Sequence, residues 1–133
     1  MIVLDTHVMI WRAAGDPRIG RRAARRVDVA LREGRLAVSA FSFWEVGLLI
    51  AAGRLRTRLS PDEFRVASLR AGIKEIPVDG KIAILSTQLG GMHPDPADRI
   101  IVATALETAA TLVTADAQIL GMRAGPDRLD AQV

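Results

Sequence analysis

His93-Pro94-Asp95-Pro96-Ala97-Asp98-Arg99-Ile100-Ile101-Val102-Ala103-Thr104-Ala105-Leu106-Glu107 is followed within a few residues by Thr111-Leu112-Val113-Thr114-Ala115-Asp116. The first stretch begins as a helix begins. Asp95 stands where an N-cap accepts a backbone N–H, Pro96 takes the first helical position, and Ile100, Val102, Ala103 and Leu106 supply the buried side. Asp98 then falls in the first turn, where the helix dipole favours a carboxylate, so that taken alone Asp95 and Asp98 need be no more than a cap and a dipole-complementing acid. The second stretch is a short buried strand that ends on an acid, Asp116.

The same order of elements recurs toward the amino terminus. Ile2-Val3-Leu4 is an apolar strand ending at Asp5, and Thr6 opens a helix carrying Val8, Met9, Ile10 and Trp11. Gly15-Asp16-Pro17 breaks the chain, after which Ile19, Ala23, Val27, Ala30 and Leu31 recur at helical spacing as far as Gly34. Leu36-Ala37-Val38 is a second strand, and Ser39 precedes an apolar helix from Phe41 to Ala52 closed by Gly53. Glu45 stands almost alone in that helix among Phe43, Trp44, Val46, Leu48, Leu49 and Ile50; buried there, an acid is costly unless paired or ligating a cation.

Ser60-Pro61-Asp62-Glu63 is a capping box that starts a helix running to about Arg70. Ile73 to Val78 reads as a strand kept short by Pro77, residues 80 to 89 as another helix ended by Gly90-Gly91, and the tail as loop with a last strand at Leu129 to Val133. Strands alternating with helices predict an α/β protein, a three-layer α/β/α sandwich around a central parallel sheet, with residues 1–133 forming one domain. Ligands of such sheets gather beyond the carboxyl ends of the strands. Asp5 and Asp116 are delivered to that edge, and Glu45 and Asp98 reach it if their helices start there.

Composition narrows the chemistry. The chain has no cysteine, which excludes disulfides, thiolate zinc sites and thiol nucleophiles, and with two histidines a metal site must be built mainly from carboxylates, as suits Mg²⁺ or Mn²⁺. No apolar run approaches the roughly 18–20 residues of a membrane span, and residues 1–11 lack the basic start and cleavage site of a signal peptide, so a cytoplasmic protein is expected. Residues 12–35 hold eight arginines against Asp16, Asp28 and Glu33, a local charge of +5 in a chain whose total is +3. Arg21, Arg22, Arg25 and Arg26 are candidates for holding phosphates, with Arg99 and the cluster Arg54, Arg56 and Arg58 as further basic groups; the plain alternative is a solvated helix face.

Four carboxylates at one sheet edge repel: at an effective dielectric near 20, two charges about 4 Å apart cost roughly 4 kcal/mol. A hard divalent ion removes that penalty and serves phosphodiester hydrolysis. Asp5-Thr6-His7, Ser39-Ala40-Phe41-Ser42-Phe43-Trp44-Glu45, His93 to Arg99 and Thr114-Ala115-Asp116, taken together, resemble PIN-domain proteins of the VapC type, the ribonuclease toxins of bacterial type II toxin–antitoxin systems. The resemblance covers nearly the whole chain. It implies an α/β/α fold, Mg²⁺- or Mn²⁺-dependent endoribonuclease activity leaving 3′-hydroxyl and 5′-phosphate ends, a homodimer, and a small antitoxin that masks the site. By position it implies that Asp5, Glu45 and Asp98 are the main metal-binding and catalytic acids and Asp116 the fourth, with Thr114 and Thr6 orienting them.

His93 is read as structural, and His7 either touches substrate or caps a turn. The helix from Phe41 departs from many members of the family in lacking lysine around Leu48 to Ala52. Two other classes fit parts of the pattern. A Mg²⁺-dependent phosphomonoesterase also uses acids at strand ends, but Thr6-His7 stands where a second aspartate two positions on from Asp5 is needed; a non-catalytic basic module that binds RNA or protein needs the acids only as caps. Trp11, Phe41, Phe43, Trp44 and Leu48 are many large apolar groups for one small sheet face, and some are expected to line a groove for an antitoxin segment.

Overall fold

The computed structural model describes residues 1–91 and 95–133. In chain order the elements are β1 (Ile2–Leu4), α1 (Thr6–Ala14), α2 (Arg21–Arg32), β2 (Leu36–Ser39), α3 (Ala40–Ala51), α4 (Pro61–Arg70), β3 (Lys74–Ile76), α5 (Gly80–Thr87), α6 (Pro96–Glu107), β4 (Thr111–Thr114), α7 (Ala117–Leu120) and β5 (Arg128–Asp130). The strands form one parallel sheet of order β3-β2-β1-β4-β5, with Val3 opposite Ala37 and Leu112 in its central register.

Side chains alternate across these short strands and so build two cores. Ile2, Leu4, Leu36, Val38, Val113 and Leu129 pack with Val8, Met9, Ala23, Val27 and Val46 from α1, α2 and α3. Val3, Ala37 and Leu112 face the opposite way, onto Ile101, Val102 and Ala105 of α6 and Ile119 of α7. Helices thus cover both faces, as the α/β reading requires.

Helix ends follow their local chemistry. Asp5, Ser39, Ser60, Asp79, Asp95 and Asp116 cap α1, α3, α4, α5, α6 and α7 through side-chain oxygens, and the capping box at Ser60 and Glu63 is complete in both directions. In α6 the buried side chains are Ala97 and Ile101 to Ala105, with Ile100 and Leu106 only half-buried. This departs from the expected stripe because α6 lies between the sheet and its neighbours α5 and α3. The last strand is Arg128–Asp130, beginning one residue before the expected Leu129 and ending three short of Val133, because Ala131 and Val133 turn their carbonyls to Gly20 and Ala23 at the start of α2.

The chain goes outward from β1 through β2 to β3, then returns to the other side of β1 as β4. In open α/β sheets ligands gather at such a reversal, here past the carboxyl ends of β1 and β4. Asp5 and Ala115-Asp116 follow those two strands directly.

Candidate active site

Asp5 is the fixed point of the site. As N-cap of α1 directly after β1 it is only 1% exposed, and its Oδ1 accepts from the Thr6 N–H at 2.8 Å while Oδ2 accepts from the Thr114 hydroxyl at 2.6 Å. Thr114 is the last residue of β4, hydrogen-bonded beside β1, so the sheet itself brings donor and acceptor together. The same Thr114 oxygen accepts the Asp116 N–H at 3.0 Å. One hydroxyl therefore ties both strand-end acids. Asp116 Oδ1 accepts from the N–H groups of Gln118 and Ile119.

Glu45 comes from the second turn of α3, which starts at the same edge after β2. The Thr6 hydroxyl donates to Glu45 Oε1 in a short contact, and the Thr6 and Ser42 oxygens lie 2.9 Å apart. Thr6 has one proton, and it is spent on the carboxylate, so the buried Ser42 hydroxyl is the donor to Thr6. Burial holds the Glu45 carboxyl above the ordinary carboxylate range; the Thr6 hydrogen bond opposes this, the charges of Asp5 and Asp95 add to it, and His7 slightly offsets it. Among the described residues no arginine or lysine forms an ion pair with Asp5 or Glu45. His7 stands beside Asp5, its Nε2 3.8 Å from Asp5 Oδ2 and its side chain half exposed.

Asp98 lies half-buried in the first turn of α6, a helix that packs on α3 and whose cap, Asp95, is felt electrostatically at Glu45. The structure joins Asp5, Thr6, Glu45, Thr114 and Asp116 in one hydrogen-bonded set and sets the start of α6 beside it. Among the described residues no three acidic or histidine side chains are spaced to hold a metal ion. His93 lies outside the described residues. In kind, the donors fit a hard divalent cation: they are carboxylate oxygens, and those of Asp5 and Glu45 are held from behind by hydroxyls.

The PIN domain family matches residues 2–123, which include every residue of this set. The chain belongs to the PIN-domain family. This PIN domain is 30% identical over 123 residues to Ribonuclease VapC22 of Mycobacterium tuberculosis, covering 92% of each chain. Its fold is shared with VapBC2 from Rickettsia felis, solved bound to a DNA fragment from their promoter, at a TM-score of 0.71 and 14% identity over 97% of this chain and 98% of that one. A toxin-antitoxin complex from Klebsiella pneumoniae superposes at a TM-score of 0.60 and 23% identity over 92% and 93% of the two chains.

The candidate basic residues of the PIN domain lie in three places. Arg99, a candidate RNA contact, turns its Nη1 to the carbonyls of Ser86 at 3.1 Å and Leu89 at 3.4 Å, satisfying the end of α5. Arg25 and Arg26 lie with Met1, Ile2 and Thr111 at the amino ends of the strands, opposite the acids. Arg21 and Arg22 begin α2 beside Val133 and Ala131, nearer the carboxyl edge. The large apolar groups are not all core: Trp44 is 55% and Leu48 49% exposed, and Trp11, Phe41 and Phe43 are partly buried. Ser42, part of the motif before Glu45, gains its role from the structure; the signal for it is a serine three residues before Glu45 in an apolar helix, which faces the same way.

Proposed function

We propose that this PIN domain is a Mg²⁺- or Mn²⁺-dependent endoribonuclease and the toxin of a type II toxin–antitoxin pair. The observation that carries the reading is the buried Asp5 carboxylate, held on both oxygens at the switch point of the sheet, with Glu45 joined to it through Thr6. The family and the named ribonuclease relative support the reaction class; the complexes among the structural neighbours support an antitoxin partner.

Asp5, Glu45 and Asp98 would hold the ion, with Asp116 a fourth acid. Bound there, it would neutralise the acids and supply Lewis-acid polarisation of a phosphoryl oxygen. The protein's own part is orientation. Thr114 fixes Asp5 and the turn carrying Asp116, and Ser42 and Thr6 fix Glu45, which limits the freedom of these acids before an ion and a phosphodiester bind. None of these hydroxyls serves as a nucleophile, because each is buried and engaged with a neighbour. The likeness to the family implies that water, and not the ribose 2′-hydroxyl, attacks phosphorus: the P–O3′ bond breaks, one proton of the water passes to the departing 3′ oxygen, and the products carry 5′-phosphate and 3′-hydroxyl ends.

Exposed Trp44 and Leu48 lie on the helix that carries Glu45, and an antitoxin segment seated on them would cover the site entrance. The reading carries a homodimer acting in the cytoplasm; among the described residues no helix is long and apolar enough to cross a membrane. The test is single-stranded RNA incubated with the purified chain in Mg²⁺, Mn²⁺ or EDTA, beside DNA and p-nitrophenyl phosphate. Internal RNA cuts with 5′-phosphate ends, absent in EDTA, are expected. Hydrolysis of the monoester alone would make the chain a phosphomonoesterase, and RNA binding without cuts would make it a non-catalytic module.

A further inference from the structure

The arginines of α2 form a path between the two edges of the sheet. At its start Gly20 N–H bonds the Ala131 carbonyl beyond the carboxyl end of β5; past its far end, the Arg35 carbonyl accepts from Ile2 N–H at the amino end of β1. The helix is 12 residues, about 18 Å long. Its apolar side, Ala23, Val27 and Ala30, is buried, and Arg21, Arg22, Arg25, Arg26 and Arg32 are exposed on the other. The path ends in a cleft of about 290 Å³ lined by Arg25, Arg26, Val29, Arg35, Ile2 and Thr111.

The acids of this segment are already taken. Asp16 pairs with Arg18, Asp28 with Arg12 and Glu33 with Arg35. The five exposed arginines of α2 have no ion-pair partner among the described residues, and they account for the +5 charge of residues 12–35. Pairs such as Arg21 and Arg25, or Arg22 and Arg26, stand one turn apart on the same face, about 6 Å along the axis. None of the large exposed apolar side chains lies on α2. A protein interface needs an apolar centre, whereas guanidinium groups in a row without one suit a chain of phosphates.

We propose that α2 is an RNA exosite: the phosphate backbone of a strand cut at the carboxyl edge runs along Arg21 and Arg22 and continues to Arg25 and Arg26 in the cleft at the amino edge. The proposal deepens the ribonuclease reading. It makes RNA length a determinant of binding, because a trinucleotide at the acids does not reach the far cleft. Phosphate contacts there position the strand and carry no sequence preference.

The test measures binding in EDTA, where strands stay intact, of a trinucleotide and of a single-stranded RNA of about 20 nucleotides, longer than the roughly 4–16 nucleotides of a single-strand-binding surface. Wild type, the pair Arg25→Ala with Arg26→Ala, and the pair Arg25→Lys with Arg26→Lys are compared across salt concentrations. Each lost phosphate contact flattens the slope of log affinity against log salt by about 0.7 for a single strand, so the alanine pair loses up to roughly 1.4 with the long RNA. The lysine pair keeps the slope, and the trinucleotide gives one slope in all three proteins. An unchanged slope in the alanine pair, an equal loss with the trinucleotide, or binding of poly-glutamate in preference to RNA overturns the exosite. A chain that shows the expected slopes but cuts no RNA in Mg²⁺ overturns the ribonuclease reading and leaves the exosite standing.

Discussion

Replacing Thr114 by valine keeps a branched side chain at a fully buried position and deletes one hydroxyl, the donor 2.6 Å from Asp5 Oδ2 and the acceptor of the Asp116 N–H. A hydrogen bond to a charged group contributes about 1.5–3 kcal/mol, and here its loss leaves a carboxylate oxygen buried without that donor. Unfolding entropy near 2.1 cal/mol/K per residue gives roughly 0.28 kcal/mol/K for 133 residues, so each kcal/mol moves the midpoint by about 3.6 °C. Thr114→Val should therefore unfold about 5–11 °C below wild type in calorimetry at neutral pH with EDTA. Thr114→Ser keeps the hydroxyl and loses one buried methyl, worth about 1 kcal/mol or some 4 °C. A valine variant as stable as wild type, or more stable than the serine variant, would refute the claim that this hydroxyl anchors the site.

Glu45→Gln keeps an acceptor for Thr6 and removes a charge that burial, Asp5 and Asp95 all disfavour, so its melting temperature in EDTA should rise above wild type while RNA cleavage in Mg²⁺ falls; a lower temperature contradicts the assigned electrostatics. Trp44→Ala should barely change the stability of the isolated chain, since that ring is more than half exposed, yet weaken the antitoxin complex by tenfold or more, about 1.4 kcal/mol, in a titration. Equal affinity of the two proteins would move the antitoxin contact to another face.

The fold was legible where the signals are local. Ile2-Val3-Leu4 and Leu36-Ala37-Val38 read as buried strands because nothing polar interrupts them, and Asp95-Pro96 and Ser60-Pro61-Asp62-Glu63 read as helix starts because capping needs only neighbouring residues. The short helix α7 has no sequence signature, since four residues carry no periodicity, so the sequence marks Asp116 as a strand-end acid and only the structure shows it to be the cap of that helix. Asp79 is a local signal of the same kind, its carboxylate accepting from Ile82 N–H at the start of α5.

What depended on tertiary neighbours stayed hidden. The carbonyls that Arg99 meets, those of Ser86 and Leu89, come from the region of α5, and nothing local in the sequence places that helix beside α6. The arginines of α2 were visible as a charged face, but which edge of the sheet they reach follows from where Gly20 and Arg35 make their backbone bonds. Asp5 and Asp116 are legible from their strand-end positions, and Thr114 as an orienting hydroxyl from the family resemblance, whereas the atoms it joins, Asp5 Oδ2 and the Asp116 N–H, follow from the β1–β4 register.

The central claim is that Asp5 and its neighbouring acids form a divalent-cation site, and metal-linked stability tests it most directly. The melting temperature is followed in EDTA and in rising Mg²⁺ or Mn²⁺ for wild type, Asp5→Asn and Asp98→Asn. A ligand at about 100 times its Kd stabilises the folded chain by about 2.7 kcal/mol, roughly 10 °C for a protein of this size. Wild type should show a saturable rise of that order, and both variants should fold and lose it. Equal metal-induced shifts in all three proteins, or none in wild type, would contradict the account.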